Sequence, residues 1–264
     1  MADAPLLEGK IAIVTGGALG IGAAGAQELA SEGACVVVMD INESAADETV
    51  AGIRKSGARA VTVVADASTT AGCRSAVERA VSTFGGIDIL FNNVGIQPPE
   101  SYTNVEETTE EMWDRILAVN LKSRFLMAKY SIPEMRKRGG GVIISTGSVQ
   151  GQLSANLVPA YAATKGGDAS LTRQMALDYA QDNIRVLSIC PGGIDTPMLR
   201  DAVESKGLSL EQAFDQIART VPFGMGQPED IARVVAFLAS DKAAFMTGTC
   251  VNVDGGIMAK GAWA

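Results

Sequence analysis

The 264 residues are 47% hydrophobic and 20% charged, an ordinary globular composition with ample apolar material to bury a core. With 30 acidic against 22 basic residues the formal charge is −8, and the lone basic cluster, Arg136-Lys137-Arg138, reads as a helix C-terminus, which disfavours nucleic acid as a partner. The chain contains no histidine, so a Ser-His-acid triad, His-ligated metals and His acid/base chemistry are removed together.

Residues 1–10 lack the basic and apolar regions of a signal peptide, and no later stretch reaches 18 uninterrupted apolar residues, so a soluble cytoplasmic protein without a membrane partner is expected. Cys35, Cys73, Cys190 and Cys250 lie far apart with no zinc spacing, and read as buried reduced thiols.

Apolar runs and helix-periodic segments alternate from end to end. Strands are expected at 11–15, 34–39, 60–64, 87–91, 141–145, 184–190 and 249–253. Between them fall helices after residue 20, near 43–56, through 73–84 with apolar residues at 3.6 spacing, around 108–119 and 121–138, from 159 to about 181, as short pieces over 197–220, and over 228–240. Val36-Val37-Val38-Met39 is apolar on consecutive positions, as a strand buried on both faces requires. Strict alternation with short loops and no linker predicts a single α/β domain, a Rossmann-like doubly wound parallel sheet of about seven strands.

On that frame Gly16 to Gly22, Asp40, Asp66, Asn92-Asn93, Ser148 and Pro191-Gly192-Gly193 follow strands one to six. All six clusters fall at carboxyl ends, the edge where an open α/β sheet binds its ligand. Gly16, Gly20, Ile21 and Gly22 form a strand-to-helix turn whose backbone can approach a pyrophosphate, although the spacing is Gly-x-x-x-Gly-x-Gly instead of Gly-x-Gly-x-x-Gly. Asp40 ends the second strand, where a carboxylate can accept from adenosine ribose hydroxyls; it also reads as a helix cap, a task Asn42 or Ser44 could take. Its neighbours Ile41 and Asn42 are uncharged, so a 2′-phosphate would find no cation, and NAD is expected over NADP.

Pro159 suits the first turn of a helix, which places Tyr161 and Lys165 four residues apart on one face. A tyrosine titrates near ~10, and a cation beside it stabilises the phenolate, so the two form a candidate proton-transfer unit.

Taken together, Thr15-Gly-Gly-Ala-Leu-Gly-Ile-Gly22, Asp66, Asn92-Asn-Val-Gly95, Asn120, Ser148, Tyr161-x-x-x-Lys165, Pro191-Gly192 and Asp254-Gly-Gly256 resemble a short-chain dehydrogenase/reductase over nearly the whole chain. The resemblance implies that Tyr161 moves the proton to or from the substrate oxygen and that Ser148 orients that oxygen. It further implies that Lys165 lowers the tyrosine pKa and holds nicotinamide ribose, and that Asn120 supports a proton-relaying water. Asp66 and Ala67 would meet adenine, Asn93 the adjoining ribose, and Ile194 and Thr196 the carboxamide. The family spacing of thirteen residues selects Ser148 over Ser145. Val94 and Gly147 stand where the family usually has alanine and serine. A homotetramer or homodimer is implied as well, built through the helices at 121–138 and 159–181.

The pocket walls are expected at 97–102 and 150–156, beneath a lid at about 197–226. The amides Gln97, Gln150, Gln152 and Asn156 favour oxidation of a secondary or hemiacetal alcohol, with a sugar or polyol among the candidates. A 3-oxoacyl-thioester reductase and a non-catalytic NAD-binding regulator are the other readings. Asp40 weighs against the first; the joint presence of Asn120, Ser148, Tyr161 and Lys165 weighs against the second.

Overall fold

The structure, a computed structural model, describes residues 4–260. Seven strands, β1 (Ile11–Thr15), β2 (Cys35–Asp40), β3 (Ala60–Val64), β4 (Ile89–Asn92), β5 (Gly141–Thr146), β6 (Ile184–Pro191) and β7 (Cys250–Val253), pair in the order β3-β2-β1-β4-β5-β6-β7. Every pairing is parallel. The order reverses direction between β1 and β4, which opens a crevice at their carboxyl ends.

The helices are α1 (Gly20–Ser31), α2 (Glu43–Lys55), α3 (Thr70–Phe84), α4 (Glu110–Leu117), α5 (Ser123–Lys137), α6 (Pro159–Asp178), α7 (Pro197–Glu204), α8 (Leu210–Thr220) and α9 (Pro228–Ala239). They cover both faces of the sheet, so the strands bury alternate side chains into two cores. One gathers Ala12, Val14, Val36, Val38, Phe91 and Ile144 with residues of α1 and α9; the other gathers Ile13, Val37, Met39, Leu90 and Ile143 with residues of α3 and α5. Burial on both sides explains why the strands read as continuous apolar runs.

Most strand ends fall within a residue of the sequence reading, and three differences bear on the site or its frame. The fourth strand starts at Ile89, because Asp88 turns its carboxylate to the Ile11 amide (2.9 Å) and to Arg138. The last strand starts at Cys250, not at residue 249. The helices expected at 108–119 and 121–138 are one continuous helical run, α4 and α5 being joined by a single π-turn over Ala118–Lys122 that centres on Asn120. Among the described residues, no helix is long and apolar enough to cross a membrane.

The fully buried Phe91 in the central strand β4 lies against Gly25 of α1, so truncating it leaves a cavity that a paired sheet cannot collapse to fill. Phe91→Ala is expected to cost about 3–5 kcal/mol, read from the urea midpoint; a loss under about 1 kcal/mol would contradict this packing.

Candidate active site

The glycine turn is shaped by what surrounds it. Gly16 has φ 61°, and a Cβ there would lie 2.9 Å from Val94 Cα. A Cβ on Gly22 would lie 1.9 Å from the Gly16 carbonyl oxygen, so no other residue can start α1 at this distance from the turn. Bare backbone is thus presented at the helix N-terminus, the arrangement that binds phosphate.

Neighbouring side chains hold the turn in place. Asn93 Nδ2 donates to the Gly16 carbonyl (3.0 Å), and Asn93 Oδ1 accepts from Thr146 Oγ1 (3.0 Å). Thr15 Oγ1 accepts from the amides of Asn93 (3.1 Å) and Val94 (3.2 Å). Both ends of the Asn93 amide are therefore committed to protein, linking the ends of β1, β4 and β5.

Asp40 Oδ2 accepts from the Ala18 amide in the turn (3.1 Å) and Oδ1 from the Asn42 amide (3.0 Å). Asn42, not Asp40, caps α2, accepting from the Ala45 amide (3.2 Å). Asp40 is thus positioned at the cradle's outer edge beside exposed Ile41. Asp66 is exposed and accepts from the Ser68 amide (2.8 Å), while Ala67 is buried behind it. On the far side of the turn, Thr196 caps α7 and its methyl group faces Gly20, and Ile194 forms an isolated bridge with Gly226.

The reacting groups stand at the carboxyl end of β5. Ser148 is buried and Tyr161 half-buried, and the Lys165 ammonium lies 5.2 Å from the centre of the Tyr161 ring, on its face. Nζ donates to the Thr146 carbonyl (2.7 Å). The two side chains that the helical spacing pairs are therefore together, anchored at the carboxyl end of β5. Asn120 is fully buried; its Oδ1 accepts from the Ile96 amide (2.7 Å) and its Nδ2 donates to the Ile96 carbonyl (2.9 Å). The side chain thus clamps the loop after β4 onto the π-turn.

Electrostatically the site differs from the expectation that Lys165 alone acidifies the tyrosine. Part of the Tyr161 surface meets solvent, yet the packing around it dominates: burial pushes the phenol up to about 12, opposed first by the Arg124 guanidinium and then by the Ser148 hydroxyl. Burial and the same Arg124 charge hold Lys165 well below the usual lysine range, with Asp168 opposing. Arg124 and Asp168 escaped the sequence reading. Each lies on the buried face of its helix, but those faces also carry Ser123, Ser131, Thr164, Lys165 and Thr172, so no apolar stripe marked either charge.

The four wall amides separate into two pairs. Gln97 is buried with Nε2 unpartnered, and Gln150 keeps a buried, unpartnered Oε1. Gln152 is exposed and its Nε2 donates to Asn252 Oδ1 (2.7 Å); Asn156 is exposed. Tyr102 is half-buried, and Lys206, just past α7, stacks on its ring at 4.8 Å.

The chain as a whole is similar to proteins of known kind. A family model described as Enoyl-(Acyl carrier protein) reductase matches residues 16–258. The cyclohexanol dehydrogenase of Acinetobacter sp. (strain SE19) is 39% identical over 252 residues, covering 95% of this chain and 96% of that one. The 2,5-dichloro-2,5-cyclohexadiene-1,4-diol dehydrogenase LinX of Sphingobium indicum is 39% identical over 251 residues, with 95% and 96% covered. Among solved structures, levodione reductase superposes with a TM-score of 0.92 at 33% identity, over 97% of this chain and 100% of that one. The chain belongs to the short-chain dehydrogenase/reductase family. It is an oxidoreductase of that family, whose dehydrogenases use nicotinamide cofactors.

Because a Cβ at position 22 meets the Gly16 backbone oxygen as well as Asn93 Nδ2, Gly22→Ala is expected to weaken dinucleotide binding by at least about tenfold, with the remainder of the fold retained. Calorimetric titration with NAD checks it; unchanged affinity would remove the turn from the cofactor site.

Proposed function

We propose that the protein is an NAD(H)-dependent dehydrogenase interconverting a secondary or hemiacetal alcohol and its carbonyl, with Tyr161 as the acid/base. The observation that supports this reading is the placement of Ser148, Tyr161 and Lys165 at the carboxyl end of β5, the edge of the sheet on which six glycine or polar clusters fall. The cradle suits a dinucleotide: Gly16 and Gly22 expose backbone where any Cβ would collide, and Asp40 presents a carboxylate at its outer edge. Asp66, Ala67 and Ile41 would flank the adenosine, and Ile194, Thr196 and Lys165 the nicotinamide half, with Asn93 acting through its hold on the turn. When bound, NAD supplies the hydride acceptor.

The chain's own residues do the rest. Ser148 donates a hydrogen bond that orients the substrate oxygen. In oxidation the phenolate of Tyr161 takes the hydroxyl proton, and in reduction the phenol returns it. Lys165 holds positive charge against the ring and favours the phenolate. Asn120 supports the proton's exit by fixing the π-turn, where the break in regular helical bonding gives a water a backbone partner.

Preference for NAD rests on the electrostatics of Asp40, since a 2′-phosphate placed there would meet a carboxylate. For the substrate, Gln97 Nε2 and Gln150 Oε1 are one donor and one acceptor that the protein leaves unpaired in the pocket wall, and an unmade buried hydrogen bond costs about 1–3 kcal/mol. A substrate with a second oxygen would satisfy them. The relatives named for cyclohexanol and for a cyclohexadiene-diol point to ring alcohols. A ring alcohol with a second oxygen function, a class that includes cyclic sugars, fits both. The segment at 197–226 closes over it as a lid, pinned by Lys206 on Tyr102.

Tyr161→Phe should lower kcat by on the order of 10²-fold or more while NAD still binds. Turnover unaltered by that change would take Tyr161 out of the mechanism. A phenol raised by burial must lose its proton to act as base, so kcat/KM for oxidation should climb with pH, roughly tenfold per unit on the limb. A flat profile from about pH 6 to 10 would contradict that assignment. In KM comparisons NADH should outcompete NADPH, and a panel should favour cyclic diols and hydroxyketones over acyl thioesters; the reverse order in either assay overturns that half of the proposal.

A further inference from the structure

Beneath the Tyr161–Lys165 pair lies a second pair of charges that the reaction just described does not use. Arg124, on α5, is fully buried, and its Nη1 forms a salt bridge with Asp168 Oδ1 on α6. Asp168 is equally enclosed, and its other oxygen accepts from Ser188 Oγ on β6 (2.6 Å). Arg124 Nη2 donates to the Thr146 carbonyl (2.5 Å), the same oxygen that accepts from Lys165 Nζ (2.7 Å). Arg124 Nε has no partner.

A buried ion pair gives weak net stability, because desolvation offsets most of the attraction, and a well-packed apolar pair would do as well. Stability alone is therefore a poor reason for this one. The charges also do not cancel: two cations, Arg124 and Lys165, share one carboxylate and one carbonyl, which leaves an excess positive charge under the phenol.

We propose that Arg124 and Asp168 are positioning residues of the reaction centre: Arg124 supplies a permanent positive charge beneath Tyr161 and, by sharing the Thr146 carbonyl, sets where the Lys165 side chain ends, while Asp168 and Ser188 hold Arg124 in place. The inference rests on the reading of Tyr161 as acid/base. A lysine can lose its proton when buried and a guanidinium does not, so Arg124 maintains the field that favours the phenolate even where Lys165 is neutral. Of the influences on the phenol, Arg124 is the largest that opposes burial. The charged and titratable groups that face Tyr161 are Lys165 from its own helix, Arg124 from α5 and Tyr102 from the loop after β4. Those facing Lys165 are Arg124, Asp168 on its own helix and Cys190 from β6.

The test is the pH dependence of kcat/KM for NAD-linked alcohol oxidation, with NAD affinity and thermal unfolding measured beside it. Two variants remove the charges without stranding one of them: Arg124→Gln with Asp168→Asn, and Arg124→Met with Asp168→Leu. Loss of the cation leaves burial less opposed, so the activity limb should move upward by about 1 pH unit or more, with NAD affinity held within about threefold. Arg124→Lys, which keeps the charge, should hold the limb near its wild-type position. Cys190→Ser separates out the thiol beside Lys165, whose pKa the hydrogen bond with Cys250 lowers.

A limb that stays in place in a folded neutral pair overturns the proposal. So does failure of both neutral pairs to fold, which assigns Arg124 and Asp168 to stability alone. Tyr161→Phe distinguishes the two layers: activity surviving that change refutes the acid/base reading, whereas an inactive Tyr161→Phe with an unmoved limb in the neutral pairs refutes only the role of Arg124.

Discussion

Two cations, Lys165 and Arg124, are held out of water against one backbone oxygen, that of Thr146. Charges of like sign brought together in a medium of low polarity repel strongly, and each gives up its hydration. The scaffold offsets that cost with a single carboxylate, Asp168, one hydroxyl, Ser188, and the carbonyl at the end of β5. What remains uncompensated is the potential that a phenol about to become a phenolate experiences. The Arg124 charge reaches Tyr161, where it opposes the effect of burial on the phenol.

The same strands set the geometry of the cofactor cradle. Thr15 and Asn93 tie the glycine turn to the ends of β4 and β5, and Asp40 ties it to the end of β2. The Asn93 amide reaches from the Gly16 carbonyl to Thr146, the residue whose own carbonyl receives Lys165. The glycine turn and the Lys165 side chain are thus connected through two residues. A shift of one strand's register would misplace both, which couples cofactor binding to catalysis more tightly than two independent sites would be.

By contrast, the substrate wall is assembled from loops. Gln97 and Gln150 are aimed inward and left unpaired, whereas Gln152 is drawn to Asn252 of β7 and Asn156 remains in solvent. All four looked alike in the chain. Gln150 lies in the short 3₁₀ turn Val149–Gly151 and Gln97 just ahead of the one at Pro99–Ser101, local backbone that no periodicity foretells.

Sequence alone determined the parallel sheet, the order of its elements and the edge on which the site lies, since these follow from patterns with fixed periods: continuous apolar strands, amphipathic helices, and glycine or polar clusters after each strand. It also determined that Tyr161 and Lys165 share a face, because four residues is one helical turn. It did not determine that Asn120 lies in a π-turn, that Asn93 and Asp40 brace the glycine turn, or that Arg124 meets Asp168 beneath the phenol. Those partners are separated by tens of residues and brought together only by packing α5, α6 and the strand ends around one point. A charge on an inward helix face is unfavourable until its counter-charge arrives from another element, and that arrival is a property of the tertiary fold.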